Sequence, residues 1–123
     1  MSNSYYIGSY EEDSANEPNH GWIVGRFKDK APRKNGDVEI KYWEFPTGPT
    51  THPLKESSII ECTFILKGKT RALINGEEHI LTAGDYVVIE PGTANNLVEE
   101  ILEDAAGLTV KAPSDPTAKR VLS

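Results

Sequence analysis

The fold is decided by GPTTHPLKESSIIECTFILKG, which spans residues 48–68, and by GDYVVIEPGTAN, which spans residues 84–95. Each stretch begins with a glycine, the residue that turns a chain without a steric penalty from Cβ. The nearly continuous apolar run from Ile59 to Leu66 predicts a strand that is buried on both faces. Glu61 interrupts that run, and an ionised carboxylate is costly to bury without a partner. We therefore expect Glu61 to be paired, protonated or bound to a ligand.

Short apolar runs separated by turn residues continue on both sides of these stretches. Asn75-Gly76 is the strongest hairpin signal among them, because both residues tolerate a positive φ. For residues 99–104 a helical turn is the alternative to a strand. The predicted strands are residues 22–27, 38–45, 59–66, 70–74, 77–81, 86–89, 96–101 and 106–110. Many short strands without a convincing helix predict an all-β sandwich or barrel.

Polar ends flank this strand-rich region. Residues 1–19 are polar and without periodicity, so we expect a loosely held arm, of which Tyr5 to Ile7 is a candidate for strand exchange between subunits. Two prolines disfavour regular structure over residues 113–117. The predicted division is an arm (1–19), one barrel domain (20–112) and a tail (113–123).

Composition excludes several classes of function. The 123 residues suit a single domain with its own core, and the net charge of −6 gives no support for nucleic-acid or anionic-membrane binding. The single cysteine, Cys62, cannot form an intrachain disulfide. The first residues lack the features of a signal peptide, and no apolar run approaches the roughly 20 residues of a membrane span. These features together lead us to expect a cytoplasmic protein.

The spacing of the glycines and of Glu61 resembles the two signature motifs of the cupin family. Two histidine positions of the first motif fall on Leu54 and Glu56, its glutamate falls on Glu61, and the histidine of the second motif falls on Asn95. The resemblance covers roughly residues 36–112. It implies a single-domain, all-β cupin jelly-roll barrel, with the side chains of the first motif pointing into the barrel.

The resemblance also implies a metal, which the residues support poorly. Cupins hold transition metals through histidines and one glutamate, and of these positions only Glu61 keeps its type here. His52 lies two positions before Leu54 and would share its strand face. We expect no metal cofactor, with a divalent transition metal as the alternative. The set that would hold it is His52, Glu56, Glu61 and Asn95.

The interior of the barrel is the expected ligand pocket. Arg71 and Thr63 are sequence-near candidates for the cationic or hydroxyl partner of Glu61. No residue is assigned a catalytic role. The pocket candidates are His52, Glu56, Glu61, Thr63, Arg71 and Asn95.

The sequence predicts binding of a small polar molecule, a sugar or a small acid, without a standard metal centre. One alternative is a metal-dependent cupin enzyme, a dioxygenase or an isomerase or epimerase, that uses His52 and Glu61. Another is a non-catalytic sensor or interaction module. Convergence of His52 and Glu61 in the pocket would favour the enzyme. We also expect a homodimer, with the aromatic runs 22–27 and 42–45 packing in the core or across the two-fold axis. The alternative for Tyr42, Trp43 and Phe45 is to line a pocket that stacks on a sugar or an aromatic ligand.

Overall fold

The structure is a computed structural model that describes residues 4–16 and 20–122. Strands dominate these ranges, which confirms the predicted all-β class. In chain order the elements are α1 (Tyr10–Ala15), β1 (Trp22–Val24), β2 (Glu39–Phe45), β3 (Gly48–Pro49), β4 (Lys55–Ser57), β5 (Ile60–Ile74), β6 (Glu77–Thr82), β7 (Tyr86–Ile89), β8 (Asn95–Ala112) and β9 (Lys119–Val121).

Two long strands, β5 and β8, organise one curled antiparallel sheet. They pair with each other from Ile60↔Ala112 to Ile74↔Asn95. The other edge of β8 pairs in succession with β2, β3 and β4, and the other edge of β5 pairs with β7 and β6. β1 extends the sheet beyond β2, and β9 extends it beyond β4. The curled sheet leaves one interior face, on which a pocket can form.

Each long strand had been predicted as two shorter ones. The predicted break between strands 59–66 and 70–74 is wrong, because Gly68 has a φ of +81° inside β5 and lies where the β5–β8 register shifts. Such a bulge bends a strand without ending its pairing. The helical alternative for residues 99–104 is also wrong, because these residues belong to β8. The Asn75-Gly76 turn is confirmed, with φ values of +50° and +81°.

The two faces of β5 differ in burial. Glu61, Thr63 and Ile65 are buried on the interior face, whereas Ile60 and Phe64 on the outer face are 42% and 39% exposed. The prediction that this strand is buried on both faces is therefore wrong. The physical reason is that the sheet encloses only its interior face, and no described element covers the outer side.

The two ends of the chain contain structure that the sequence interpretation did not include. The helix α1 lies within the predicted arm, where the Ser9 side chain accepts a hydrogen bond from the Glu12 N–H at 3.1 Å. Asp13 of this helix forms an ion pair with Arg33 at 2.8 Å. At the other end β9 follows the irregular residues 113–117 and pairs with β4. The division into arm, barrel and tail stays a prediction.

The apolar core lies inside the sheet. One buried cluster consists of Ile65, Ala72, Leu81, Ile89 and Leu97, and a second consists of Val98, Ile101 and Ala105. Trp43 packs against both clusters and joins them. No helix in the described ranges is long and apolar enough to cross a membrane.

Candidate functional site

A cavity of about 340 Å³ opens on the interior face of the sheet. Residues of β2, β5 and β8 contribute to its lining, as do the His52–Lys55 segment and residues 115–119. One part of its wall is apolar and consists of Trp22, Phe27, Trp43, Phe45, Leu97 and Val98. Both aromatic runs of the sequence thus supply pocket walls, which was the alternative to core or dimer-interface packing for the second run.

The polar part of the cavity consists of side chains in register across three strands. One row runs Glu61, Lys111 and Glu39, from β5 through β8 to β2. The next row runs Thr63, Thr109 and Lys41 across the same strands. Because side chains alternate between the two faces of a strand, the two rows share the interior face.

Glu61 is held by two lysines. Its carboxylate Oε2 accepts a hydrogen bond from Lys55 Nζ at 2.8 Å, and Lys111 Nζ lies 3.2 Å from Oε1. Glu61 is only 2% exposed. Oε1 makes no hydrogen bond with the described residues, so its contact with Lys111 is an ion pair without a hydrogen bond. The expectation that Glu61 is paired is met, but by Lys55 and Lys111 rather than by the predicted Arg71 or Thr63.

This cluster lowers the pKa of Glu61. Burial alone would raise the pKa of the carboxyl, but the hydrogen bond and charge of Lys55 and the charge of Lys111 outweigh it. The pKa of Lys55 is also lowered, because burial and the charges of Lys111 and Lys119 outweigh its bond to Glu61. Two ammonium groups share one carboxylate, so the cluster stabilises the charged form of Glu61 more than the charged form of either lysine.

Two further lysines, Lys41 and Lys119, line the cavity without such a partner. Neither has a carboxylate of the described residues within ion-pair distance, whereas Lys41 Nζ lies 5.1 Å from the centroid of the Trp22 ring. Burial, followed by the charges of Lys111 and Lys119, lowers the pKa of Lys41. The cavity therefore contains ammonium groups that are available to an anion.

Neutral polar groups complete the lining. Trp43 Nε1 donates to Thr109 Oγ1 at 3.1 Å, and Thr109 Oγ1 lies 3.0 Å from Thr63 Oγ1. Asn95 is 1% exposed and donates from Nδ2 to the Thr93 carbonyl at 3.0 Å. Its Oδ1 is buried and accepts no hydrogen bond from the described residues. A buried acceptor in this state favours a ligand or a water that can donate to it.

His52 lies at the exposed mouth of the cavity. Its ring packs edge-on against Phe45 with centroids 5.1 Å apart, and its carbonyl accepts from Asn96 Nδ2 at 2.9 Å. Burial, then the charges of Lys119, Lys41 and Lys55, lower the pKa of His52, so its ring is neutral at neutral pH. His52 and Glu61 line one cavity, but no hydrogen bond or ion pair joins them among the described contacts.

The structure brings four of the six predicted pocket residues to this cavity, namely His52, Glu61, Thr63 and Asn95. Among the described residues, Glu56 and Arg71 do not contribute to its lining. Glu56 forms an ion pair with Arg120 at 2.6 Å, and Arg71 pairs with Glu100 outside the cavity.

The physical reason is strand alternation. Lys55 faces the cavity, so its neighbours Leu54 and Glu56, which hold the two histidine positions of the first motif, face away from it. Arg71 lies between the fully buried Thr70 and Ala72 and points to the opposite face.

Sequence reasoning missed the four lysines that line the cavity, Lys41, Lys55, Lys111 and Lys119. The signal for Lys41 was present, because it alternates with Glu39 and Trp43 along β2. The others become visible only when the register of β4, β8 and β9 is known.

The donor groups do not fit a transition-metal centre. Both carboxylate oxygens of Glu61 face ammonium groups, Glu56 lies outside the cavity, and His52 is the only imidazole in the described lining. No group of three or more histidine, cysteine, aspartate or glutamate side chains within residues 4–16 and 20–122 is arranged to hold a metal ion. Neutral imidazoles and free carboxylates are what such a centre requires.

Comparison with known proteins gives the same fold. Residues 41–100 match the family model described as Cupin domain. KdgF from Halomonas sp. superposes with a TM-score of 0.68 at 17% identity, over 94% of this chain and 97% of that protein. An uncharacterized conserved protein with a double-stranded β-helix domain from Klebsiella pneumoniae gives 0.66 at 17% identity, over 98% and 99% of the two chains.

A third neighbour is much longer than this chain. Salicylate 1,2-dioxygenase from Pseudoaminobacter salicylatoxidans, a mutant in complex with gentisate, gives a TM-score of 0.61 at 14% identity. The match covers 75% of this chain but only 25% of the dioxygenase. No curated protein matches the sequence. Identities this low carry the fold and not the activity.

Proposed function

Because the chain contains a small cupin-superfamily domain, we propose that it binds a small polar molecule, specifically a small organic acid, inside the barrel without a standard metal centre. The observation that carries the proposal is the lysine cluster. Lys55 and Lys111 neutralise Glu61, which leaves Lys41 and Lys119 without a carboxylate partner among the described residues. Lys41 is partly buried, and a partly buried cation is costly without a counter-charge, whereas Lys119 is exposed at the cavity. A ligand carboxylate supplies a counter-charge to either lysine.

Two other carboxylates in the cavity do not serve as this counter-charge. Glu39 accepts a hydrogen bond from the Ser114 hydroxyl at 3.0 Å, and Asp115 accepts one from the Thr117 hydroxyl at 2.7 Å. Neither lies within ion-pair distance of a lysine in the described part of the chain. Both carboxylates accept hydrogen bonds from hydroxyls instead, so the amino groups of Lys41 and Lys119 stay available.

The remaining lining narrows the class of acid. A cavity of about 340 Å³ is at the small end of ligand pockets, which span roughly 300–1,000 Å³. The free Oδ1 of Asn95 suits a hydroxyl donor, and the aromatic wall suits a carbon skeleton. A small hydroxy or oxo acid satisfies both features and the ammonium groups. One structural neighbour is in complex with gentisate, which supports a barrel of this fold holding a small molecule.

The test is a thermal-shift and calorimetry series. Lactate, pyruvate and malonate are expected to raise the melting temperature, whereas glucose at the same concentration is not. Lys119→Met is expected to weaken binding of lactate by about tenfold or more, because a charge-assisted hydrogen bond contributes about 1.5–3 kcal/mol. Lys67→Met is the matched control, since Lys67 is exposed and outside the lining. Stabilisation by glucose and not by the acids would reject the proposal.

The compartment that we propose is the reducing cytoplasm, because the single cysteine, Cys62, cannot form an intrachain disulfide.

A further inference from the structure

Lys41 differs from the other lysines of the cavity in its surroundings. It lies on β2 opposite Thr109 of β8 and opposite Trp22 of β1, so it projects into the cavity between a hydroxyl and an aromatic ring. Its Nζ lies over the Trp22 ring, 5.1 Å from the centroid. Lys55 and Lys111 are both engaged by Glu61, whereas Lys41 has no carboxylate partner in the described ranges.

The charges around Lys41 favour the neutral amine. Burial lowers the pKa of Lys41 most, and the charges of Lys111 on β8 and Lys119 on β9 lower it further. The other titratable groups that line the cavity are Glu39, His52, Lys55, Glu61 and Asp115. A lysine that is desolvated and next to other cations is the arrangement that makes an amine nucleophilic at moderate pH.

From this geometry we propose that Lys41 is a nucleophile that condenses with the carbonyl carbon of a small oxo acid held in the cavity. This inference rests on the proposed function, because Lys119 is the group that would hold the carboxylate of the oxo acid. Thr63 and Thr109 supply hydroxyls in the same row as Lys41, where the carbonyl oxygen would lie. The ligand class is therefore a small 2-oxo acid rather than a sugar.

The covalent step balances without an added oxidant or reductant. The lone pair of the neutral Lys41 amine forms a C–N bond with the carbonyl carbon, and the carbonyl oxygen takes up a proton as the nitrogen loses one. The resulting carbinolamine loses its hydroxyl and the remaining N–H proton as water. The product is an imine between Lys41 and the former carbonyl carbon, and hydrolysis reverses the sequence.

Reductive trapping tests the inference. The full chain is incubated with pyruvate and sodium cyanoborohydride, and peptide mass spectrometry locates the reduced adduct. We expect one adduct, on Lys41. It should be lost in Lys41→Arg, a variant that keeps a cationic side chain but removes the nucleophile. The control variant Lys67→Arg should retain it. The rate should reach half its maximum at a lower pH than with N-acetyl-lysine, because the lowered pKa leaves more neutral amine at a given pH.

Lactate separates failure of this inference from failure of the proposed function, since it offers a carboxylate but no carbonyl. If lactate prevents the reaction of Lys41 with pyruvate, this supports both the inference and the proposed function. Stabilisation by lactate without a Lys41 adduct overturns the inference and leaves the proposed function standing. An adduct spread equally over exposed lysines also overturns the inference. If lactate gives no stabilisation and pyruvate gives no adduct, both the inference and the proposed function are overturned. A Lys41 adduct that lactate does not block supports Lys41 as the nucleophile but rejects the carboxylate site. A melting curve of Lys41→Arg establishes that the variant folds.

Discussion

At the scale of single residues, the environment of Glu61 shows how a carboxylate can keep its position while its chemistry changes. Glu61 lies on the interior face of β5, where the cupin resemblance places a metal ligand. Its two oxygens face Lys55 Nζ and Lys111 Nζ instead of imidazoles and a metal. An ion triad of this kind is sensitive to the loss of Glu61, because both lysines are then left without a counter-charge.

The change Glu61→Gln is expected to destabilise the fold. Breaking a fully buried ion pair costs roughly 3–5 kcal/mol, and partial exposure of the lysines reduces this to about 2–3 kcal/mol. The side chains of Lys55 and Lys111 are 20% and 17% exposed, so solvent compensates them in part. Urea unfolding at pH 7 measures the difference, and the surface change Glu77→Gln is the control. Equal midpoints for Glu61→Gln and the control would show that the triad is not stabilising.

The same variant gives a prediction for pH. Folding lowers the pKa of Glu61, so the unfolded chain binds its proton more readily than the folded one. The stabilisation from Glu61 is therefore complete above about pH 4.3, the ordinary glutamate value, and is lost as the pH falls through the lower folded pKa. We expect the difference in unfolding free energy between wild type and Glu61→Gln to shrink between pH 5 and pH 3. If this free-energy difference grew on acidification, the pKa of Glu61 would not be lowered by folding.

The donor set also predicts the metal content. Protein purified without a metal-affinity step is expected to carry well under one equivalent of iron, manganese, nickel or zinc, because ammonium groups face both oxygens of Glu61. Elemental analysis after dialysis measures this. Near-stoichiometric metal that is lost in His52→Ala or Glu61→Ala would restore the metal-dependent enzyme as the better interpretation.

At the scale of strands, local pattern located the elements but not their continuity. The pattern found β7 at residues 86–89 and the turn at Asn75-Gly76, because turn chemistry and alternation are local properties. It divided β5 and β8 into two strands each, because a glycine or polar residues that interrupt an apolar run indicate a bulge and a strand end equally well. Whether a strand continues depends on its partner strand, which lies far away in sequence.

For the candidate site, too, the sequence indicated residues within the motifs but not those that distant strands bring to the cavity. Glu61 and Asn95, which the motif spacing indicates, line the cavity, and so does Thr63, which was a candidate because it is near Glu61 in sequence. Lys55 was missed because a register one residue out of step exchanges the two faces of a strand. Lys111 was missed because nothing near it in sequence indicates that β8 places it beside Glu61.

Two glycines with positive φ give a matched prediction at this scale. A Cβ at Gly68 would clash with the Asp104 carbonyl and lie 2.7 Å from Ala105 Cα, whereas a Cβ at Gly84 would meet nothing within 4 Å. Gly84→Ala therefore carries only the backbone strain, about 1 kcal/mol, and Gly68→Ala is expected to cost at least about 2 kcal/mol. Urea unfolding compares the two. A larger loss for Gly84→Ala would mean that the β5 bulge relaxes without penalty.

At the scale of the whole molecule, the outer face of β5 and β7 is the surface that lacks a cover. Ile60, Phe64, Tyr86 and Val88 are 42%, 39%, 68% and 56% exposed there, and β7 pairs only with β5 among the described strands. The aromatic runs first considered for a dimer interface supply Trp22, Trp43 and Phe45 to the cavity wall instead. If the protein is a homodimer, this outer face is the surface that we expect to form its interface.

Light scattering at micromolar concentration tests the dimer against the mass of one chain, 13.6 kDa. Wild type is expected at twice that mass, and Tyr86→Glu at the mass of one chain, because it places a charge in the centre of an apolar contact. Tyr5→Glu is the matched control, since Tyr5 is 82% exposed and lies outside this face. A dimer that survives Tyr86→Glu but not Tyr5→Glu would assign assembly to exchange of the N-terminal segment. A wild-type monomer would reject both modes and leave the cavity to function within one chain.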